Sequence, residues 1–253
     1  MLARRKLMTG LAGLPIAAIL ADPRLAAYAA EATEAVSITS KDAESVSGAI
    51  ALPAEQPAPA VLLIHEWWGL NDQIKSMAAE FAKEGYVALA VDLFGGSVAA
   101  SPEEAQALTQ SVDASKATDT LVSWVEWLRA NPAVNGKVAT VGWCFGGGWA
   151  INAAIATPVE ATVIYYGRVP QSADEVKTVS GPVLGHFAEQ DRFIDRPMVG
   201  GFEKAMKEAG KPLTLYWYDA DHAFANPTGA NYDGADAQAA WSRTLEFLKQ
   251  ALG

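Results

Sequence analysis

The 253-residue sequence contains one cysteine, Cys144, and three histidines, His65, His186 and His222. A lone thiol excludes an internal disulfide and a multi-cysteine metal site. The histidines show neither H-E-x-x-H nor any other paired spacing, so a zinc enzyme is not indicated and no metal or organic cofactor is expected. Basic residues are also scarce: 19 Lys and Arg stand against 29 Asp and Glu, a net charge of −10. An acidic surface repels nucleic acid and anionic membranes, so neither is an expected partner. The apolar stretch Leu7–Leu20 is shorter than the roughly 20 residues that a membrane span needs. The chain has no internal repeat, low-complexity tract or interdomain linker. What it does have is 51% hydrophobic residues. At this length that suits one large α/β domain with a core that needs no disulfide or metal staple.

Residues 1–30 read as an export signal and not as part of the fold. Arg4-Arg5-Lys6 is a basic start, Leu7–Leu20 the apolar stretch, and Ala27-Tyr28-Ala29 a small-x-small cleavage pattern. The paired arginines resemble a twin-arginine signal, with Ala3 and Lys6 departing from its fuller motif. The expectation is cleavage near Ala30 or Glu31 and a periplasmic or secreted protein. Residues 1–30 hold four of the 19 basic and one of the 29 acidic residues, so 31–253 carries a formal charge of −13.

From residue 36 the patterning alternates between β and α. Val36–Thr39 and Val46–Leu52 are short β-like runs, and Pro53–Pro59 is a proline-rich loop. Ala60–His65 is continuously apolar, as a strand buried on both faces requires. Ile74, Met77, Ala78 and Phe81 recur at helical spacing after an Asn71-Asp72 cap and before Gly85. Further strands are expected at Val87–Val91, Val138–Gly142, Ala161–Tyr165, Val183–Phe187 and Leu213–Tyr218. Further helices are expected at Ser101–Ser111, Ala114–Ala130, Pro197–Ala209 and Ala235–Leu252. Repeated β-α units over 31–253 predict a single-domain α/β fold with a doubly wound, mostly parallel sheet.

Cys144 lies in Gly142-Trp143-Cys144-Phe145-Gly146, between a strand and a small-residue stretch that opens a helix. Strand, G-x-nucleophile-x-G and helix together resemble the nucleophile elbow of α/β-hydrolases, with cysteine in the place of serine. A thiol nucleophile needs a base, and the base needs an orienting group. In such enzymes the acid and then the histidine follow the nucleophile, each on a loop after a strand. His222, just past Leu213–Tyr218, fits the base. His186 falls inside a buried strand and reads as a core histidine. Asp191 is the preferred orienter and Asp195 the second choice; Asp219 and Asp221 read as loop carboxylates. The backbone N–H groups of Phe145 and Trp67 are the expected oxyanion donors. This set suits attack of a thiolate on an ester or lactone carbonyl. A thioesterase or acyltransferase would form the same acyl-enzyme. A non-catalytic binding protein would have no need of the full nucleophile–acid–histidine order, and a thiol redox sensor would lack a resolving cysteine.

Five stretches carry a more specific likeness: Ile64-His65-Glu66-Trp67-Trp68-Gly69-Leu70-Asn71, Ala90-Val91-Asp92-Leu93-Phe94, Gly142 to Gly147, Gln190-Asp191 and His222-Ala223-Phe224. In this order they resemble the dienelactone hydrolase family over roughly residues 40–252. The resemblance implies the α/β-hydrolase fold, a Cys144–His222–Asp191 triad acting on cyclic enol-lactones, and no cofactor. It also implies that Glu66 interacts with the resting thiol and takes part in its activation. The family binds its substrate carboxylate with two arginines. The corresponding neighbourhoods here, Phe94 to Val98 and His222 to Asn226, contain none. Arg168 and Arg192 read as surface charge. Trp67, Trp68, Trp143 and Phe224 suggest an aromatic pocket wall. The expected substrate is therefore a small neutral, fairly apolar ester or lactone, handled by a monomer.

Overall fold

The computed structural model describes residues 23–253, so Arg4-Arg5-Lys6 and Leu7–Leu20 of the expected export signal lie outside the described residues. Eight strands form one sheet: β1 (Glu34–Thr39), β2 (Ser45–Ala51), β3 (Ala58–Ile64), β4 (Val87–Val91), β5 (Val134–Trp143), β6 (Ala161–Tyr165), β7 (Val183–Ala188) and β8 (Leu213–Tyr218). Their spatial order is β1-β2-β4-β3-β5-β6-β7-β8. The β1–β2 and β2–β4 pairs are antiparallel, and every later pair is parallel. The doubly wound α/β fold expected from the sequence is the fold observed. Among the described residues no helix is long and apolar enough to cross a membrane.

The helices are α1 (Pro23–Ala30), α2 (Asp72–Lys83), α3 (Pro102–Ser111), α4 (Ala114–Ala130), α5 (Phe145–Ala156), α6 (Ala173–Val176), α7 (Arg196–Glu208) and α8 (Gly234–Leu252). Strand alternation divides the core between the two faces of the sheet. Leu62 and Ile64 of β3 pack with Leu121 and Trp124 of α4, Ile151 of α5 and Phe202 of α7. Val61 and Leu63 point the other way, toward Ile74 and Phe81 of α2 and Leu248 of α8. Most helices start on a side-chain cap that satisfies otherwise orphaned N–H groups: Asn71 accepts from the Ile74 N–H, Ser101 from Glu104, and Asp195 from Met198. The N-terminus of α5 has no such side-chain cap.

Most element bounds shift by one or two residues from the sequence expectation, and three elements differ more. The first is β5, which begins at Val134, four residues early, because Val134 pairs with Ala58 before a register irregularity. The second is α6, a single turn held by the Ser172–Glu175 capping box; it is too short to show periodicity. The third is α1, which lies within the expected export signal and packs on α2. Ala26, Ala29 and Ala30 are buried, and the Ser76 hydroxyl donates to the Ala26 carbonyl across 2.6 Å.

The parallel strands all end on one edge of the sheet. Glu66 follows β3, Cys144 follows β5, Tyr166 follows β6, Asp191 follows β7 and His222 lies beyond β8. In an open parallel sheet this edge is where sites form.

Candidate active site

Cys144 occupies the turn between β5 and α5 with φ 53° and ψ −115°. That conformation is strained for any residue with a Cβ. Three backbone bonds hold it: the Cys144 N–H donates to the Tyr165 carbonyl at 2.9 Å, and the Gly147 and Gly148 N–H groups donate to the Cys144 carbonyl at 3.0 Å and 3.4 Å. The flanking glycines are needed for space. A Cβ on Gly142 would strike the Gly146 carbonyl, and one on Gly146 would strike the carbonyls of Ile64 and His65.

The His222 ring bridges the sulfur and a carboxylate. Its Nε2 lies 3.1 Å from Cys144 Sγ, and its Nδ1 lies 2.6 Å from Asp191 Oδ2. The other carboxylate oxygen of Asp191 is occupied, accepting the backbone N–H of Phe193 at 2.8 Å and of Ile194 at 3.0 Å. These bonds leave Oδ2 for the imidazole and fix the carboxylate's orientation. Burial opposes the imidazolium, but the Asp191 carboxylate and the Cys144 sulfur outweigh it and raise the His222 pKa to about 10. Burial also opposes the charge on Asp191; its bonds to His222 and to the two N–H groups prevail and hold it below the usual range. Asp195, the second candidate, instead caps α7 by accepting the Met198 N–H at 2.9 Å. Asp219 accepts from Gln190, away from the imidazole.

His186 is fully enclosed under the sheet edge. Its Nδ1 lies 2.8 Å from the Tyr218 hydroxyl, and its Nε2 lies 3.0 Å from the Thr244 hydroxyl. Burial, with help from the Arg243 charge, lowers its pKa to about 3, so the ring is neutral. It is a core residue, as its place in a strand suggested.

Glu66 is buried at the mouth of β3. It accepts the Tyr166 O–H at 3.3 Å and the Asn226 side-chain N–H. Burial pushes its pKa up to about 6, against the opposing effects of Asn226, His222 and Tyr166. The preceding His65 anchors this loop. The Leu93 N–H donates to its Nε2 at 3.2 Å, which leaves the proton on Nδ1, 2.5 Å from the Glu66 carbonyl. Trp67 follows in a turn, and Phe145 is the first residue of α5. A helix's first N–H has no intrahelical acceptor. Trp67 and Phe145 line the same cavity as Cys144.

A cavity of about 760 Å³ opens over Cys144 and His222. Trp67, Trp68, Phe145, Trp149 and Ile194 form its apolar wall, and Phe193, 72% exposed, stands at its rim with its ring edge-on to His222 at 5.5 Å. Two expected wall residues are elsewhere. Trp143 shares a β5 face with Ala139 and Val141, so alternation turns it into the core, where it stacks on Tyr165 at 5.4 Å. Phe224 is buried between Tyr218 and Tyr166, at ring distances of 4.7 Å and 5.4 Å. Arg168 corrects the reading in the other direction: it is exposed but lines the cavity, as does Glu175. Arg192 is exposed and off the cavity wall. Tyr166, Asn226, Trp149 and Asn152 also belong to the site and were not anticipated. Tyr166 had one available signal, since it directly follows β6, the strand beside β5.

The sequence and the fold have counterparts among known proteins. The family model for the dienelactone hydrolase family matches residues 46–252. The chain is 31% identical over 231 residues to a carboxymethylenebutenolidase of Pseudomonas putida, covering 85% of this chain and 96% of that protein. It is 27% identical over 226 residues to carboxymethylenebutenolidase 1 of Cupriavidus pinatubonensis, with coverage of 85% and 96%. Among solved structures, a dienelactone hydrolase-like promiscuous phosphotriesterase from metagenomic libraries superposes with a TM-score of 0.80 at 23% identity, covering 88% of this chain and all of that one. Esterase 2 of Thermogutta terrifontis gives a TM-score of 0.64 at 20% identity, with coverage of 87% and 94%. By the family match and the two curated relatives, the chain belongs to the dienelactone hydrolase family and is a carboxylic ester hydrolase.

Proposed function

We propose that the protein hydrolyses a small, neutral and largely apolar ester or lactone through a Cys144 acyl-enzyme. The observation that carries this reading is the line of contacts from Sγ through the His222 ring to Asp191. His222 takes the thiol proton, and the imidazolium is stabilised by Asp191. The thiolate adds to the substrate carbonyl, and the oxyanion accepts the N–H groups of Trp67 and Phe145. The tetrahedral adduct then collapses. The C–O bond breaks, and the leaving alkoxide takes the proton from His222. Water, deprotonated by the same ring, adds to the thioester. Collapse of the second adduct releases the carboxylic acid and returns the proton to the Cys144–His222 pair.

The apolar preference rests on the wall. Its tryptophans present indole faces suited to alkyl or aryl groups. Arg168 brings a guanidinium, but Glu66 and Glu175 bring carboxylates to the same cavity. The test is kcat/KM for a free-acid lactone against its methyl ester, at low and moderate salt. Preference for the ester is expected; preference for the free acid would show that Arg168 acts as a carboxylate anchor. Cys144→Ala should lower turnover about 10³-fold or more. A folded Cys144→Ala variant with ordinary turnover would remove the acyl-enzyme. Export through residues 1–30 is part of the same proposal. Cleavage near Ala30 would take α1 away with the leader.

A further inference from the structure

Asn226 is buried, and both ends of its side-chain amide are engaged. Its Oδ1 accepts two donors from Thr228, the backbone N–H at 2.9 Å and the hydroxyl at 2.7 Å. With the oxygen so placed, the amide nitrogen must face the other way, and there it donates to Glu66 Oε2. The turn that presents it starts at Ala223, whose φ is 65°, and closes with the Asn226 N–H on the Ala223 carbonyl at 2.9 Å. This turn begins one residue after His222. Asn226 therefore links the loop carrying the base to the carboxylate that precedes Trp67.

We propose that Asn226 is a positioning residue: its amide, oriented by Thr228, holds the Glu66 carboxylate ionised and in place beside Trp67, and so sets the lower pH limit at which the site works. The proposal rests on the acyl-enzyme reading above. The ionised carboxylate accepts both Asn226 N–H and Tyr166 O–H. Protonation takes away one of those acceptances and frees the side chain, and with it the adjoining turn, to move. The titratable groups facing Glu66 are His222, across the cavity from the β8 loop, and Tyr166, from the β6 loop. Burial and the neighbouring Glu66 raise the Tyr166 pKa well above its ordinary value, so it stays a neutral donor. Glu66 itself, at about 6, changes charge within the accessible pH range. Asp191 is held low and His222 high, so neither titrates there.

The experiment is the pH profile of kcat/KM on a neutral ester for wild type, Asn226→Ala, Asn226→Asp, Thr228→Val and Glu66→Gln. The aspartate is isosteric and places a second carboxylate against Glu66, and Thr228 is exposed, so at least these two variants should fold. The acid midpoint should rise by about one to two pH units in Asn226→Asp and Asn226→Ala, by less in Thr228→Val, and the alkaline limb should stay in place. Glu66→Gln should lack the midpoint near 6. A purely structural role would lower stability and leave the midpoint where it is. A folded Asn226→Asp enzyme with the wild-type acid midpoint overturns the proposal, as does a Glu66→Gln enzyme that keeps that midpoint. Cys144→Ala run alongside separates the two readings. Turnover surviving there removes the acyl-enzyme, whereas an unmoved midpoint with Cys144→Ala inactive removes only the role of Asn226.

Discussion

Replacing His186 with phenylalanine tests the division of labour between the two histidines that follow Cys144. The ring of His186 is enclosed and neutral, with a pKa lowered from 6.5 to about 3. As pH falls through 6.5 the unfolded chain binds a proton at this residue, but the folded chain refuses it until about pH 3. The contribution of neutral His186 is thus fully present above 6.5 and is lost as pH falls, at up to about 1.4 kcal/mol per unit. Phenylalanine keeps the aromatic contact with Tyr165, 4.5 Å away in wild type, but removes two hydrogen bonds. Tyr218 retains Arg243 and Thr244 retains Tyr165 as partners, so neither hydroxyl is orphaned. At pH 7 the variant should therefore be less stable by about 1–3 kcal/mol. Near pH 5 wild type has lost about 2 kcal/mol that the variant does not lose, and the two stabilities should cross there. The assay is urea unfolding followed by tryptophan fluorescence at pH 7, 6, 5 and 4. Taking the difference between the two proteins cancels every other titrating group. A gap constant with pH would refute the buried neutral ring. A folded His186→Phe enzyme without esterase activity would refute the assignment of the base to His222.

Three further outcomes are expected. Asp191→Asn should lower kcat by about 10³-fold or more by disturbing the His222 tautomer, while Asp195→Asn, still a good helix cap, should leave kcat near wild type; steady-state kinetics of both variants decides this. Raising the pH through the His222 value of about 10 removes the imidazolium, so kcat/KM should fall above pH 10, and a kcat/KM that stays level through that range would refute the proposal that the imidazolium delivers the leaving-group proton. N-terminal sequencing of protein recovered outside the cytoplasm of a bacterial host should start near Ala30 or Glu31, and replacing Arg4 and Arg5 by lysine should block that recovery; an uncleaved cytosolic chain would refute export.

The strands at Val87–Val91, Ala161–Tyr165 and Leu213–Tyr218 and the helix at Ala114–Ala130 have the same bounds in sequence and structure. They are long or uniform enough for burial to leave a clear pattern. The single turn α6 carries no period, and its capping box is a local interaction that hydropathy does not register. The order Cys144, Asp191, His222 is legible in the sequence because each lies on a loop after a strand, β5, β7 and β8 in turn, at one sheet edge. Asn226 was not, since its meaning comes from a partner 160 positions away. Trp143 illustrates a different failure. Its nearness to Cys144 in sequence suggested the pocket, although its parity with Ala139 and Val141 along β5 turns it into the core. Arg168 was undecidable from charge alone, because a side chain can be solvated and still face a cavity.

The backbone at Cys144 has a bearing on how such a chain evolves. With φ 53° and ψ −115°, a residue with a side chain carries strain on the order of 1–3 kcal/mol. Glycine would relieve that strain and give back about 0.5–1 kcal/mol through greater freedom of the unfolded chain. Cys144→Gly should therefore be folded, inactive and as stable as wild type or more so. A lineage that no longer needed the chemistry would meet no stability barrier to discarding the thiol, and in some backgrounds would gain by it. On the proposed mechanism, selection for a sturdy protein and selection for a working one pull in opposite directions at this position.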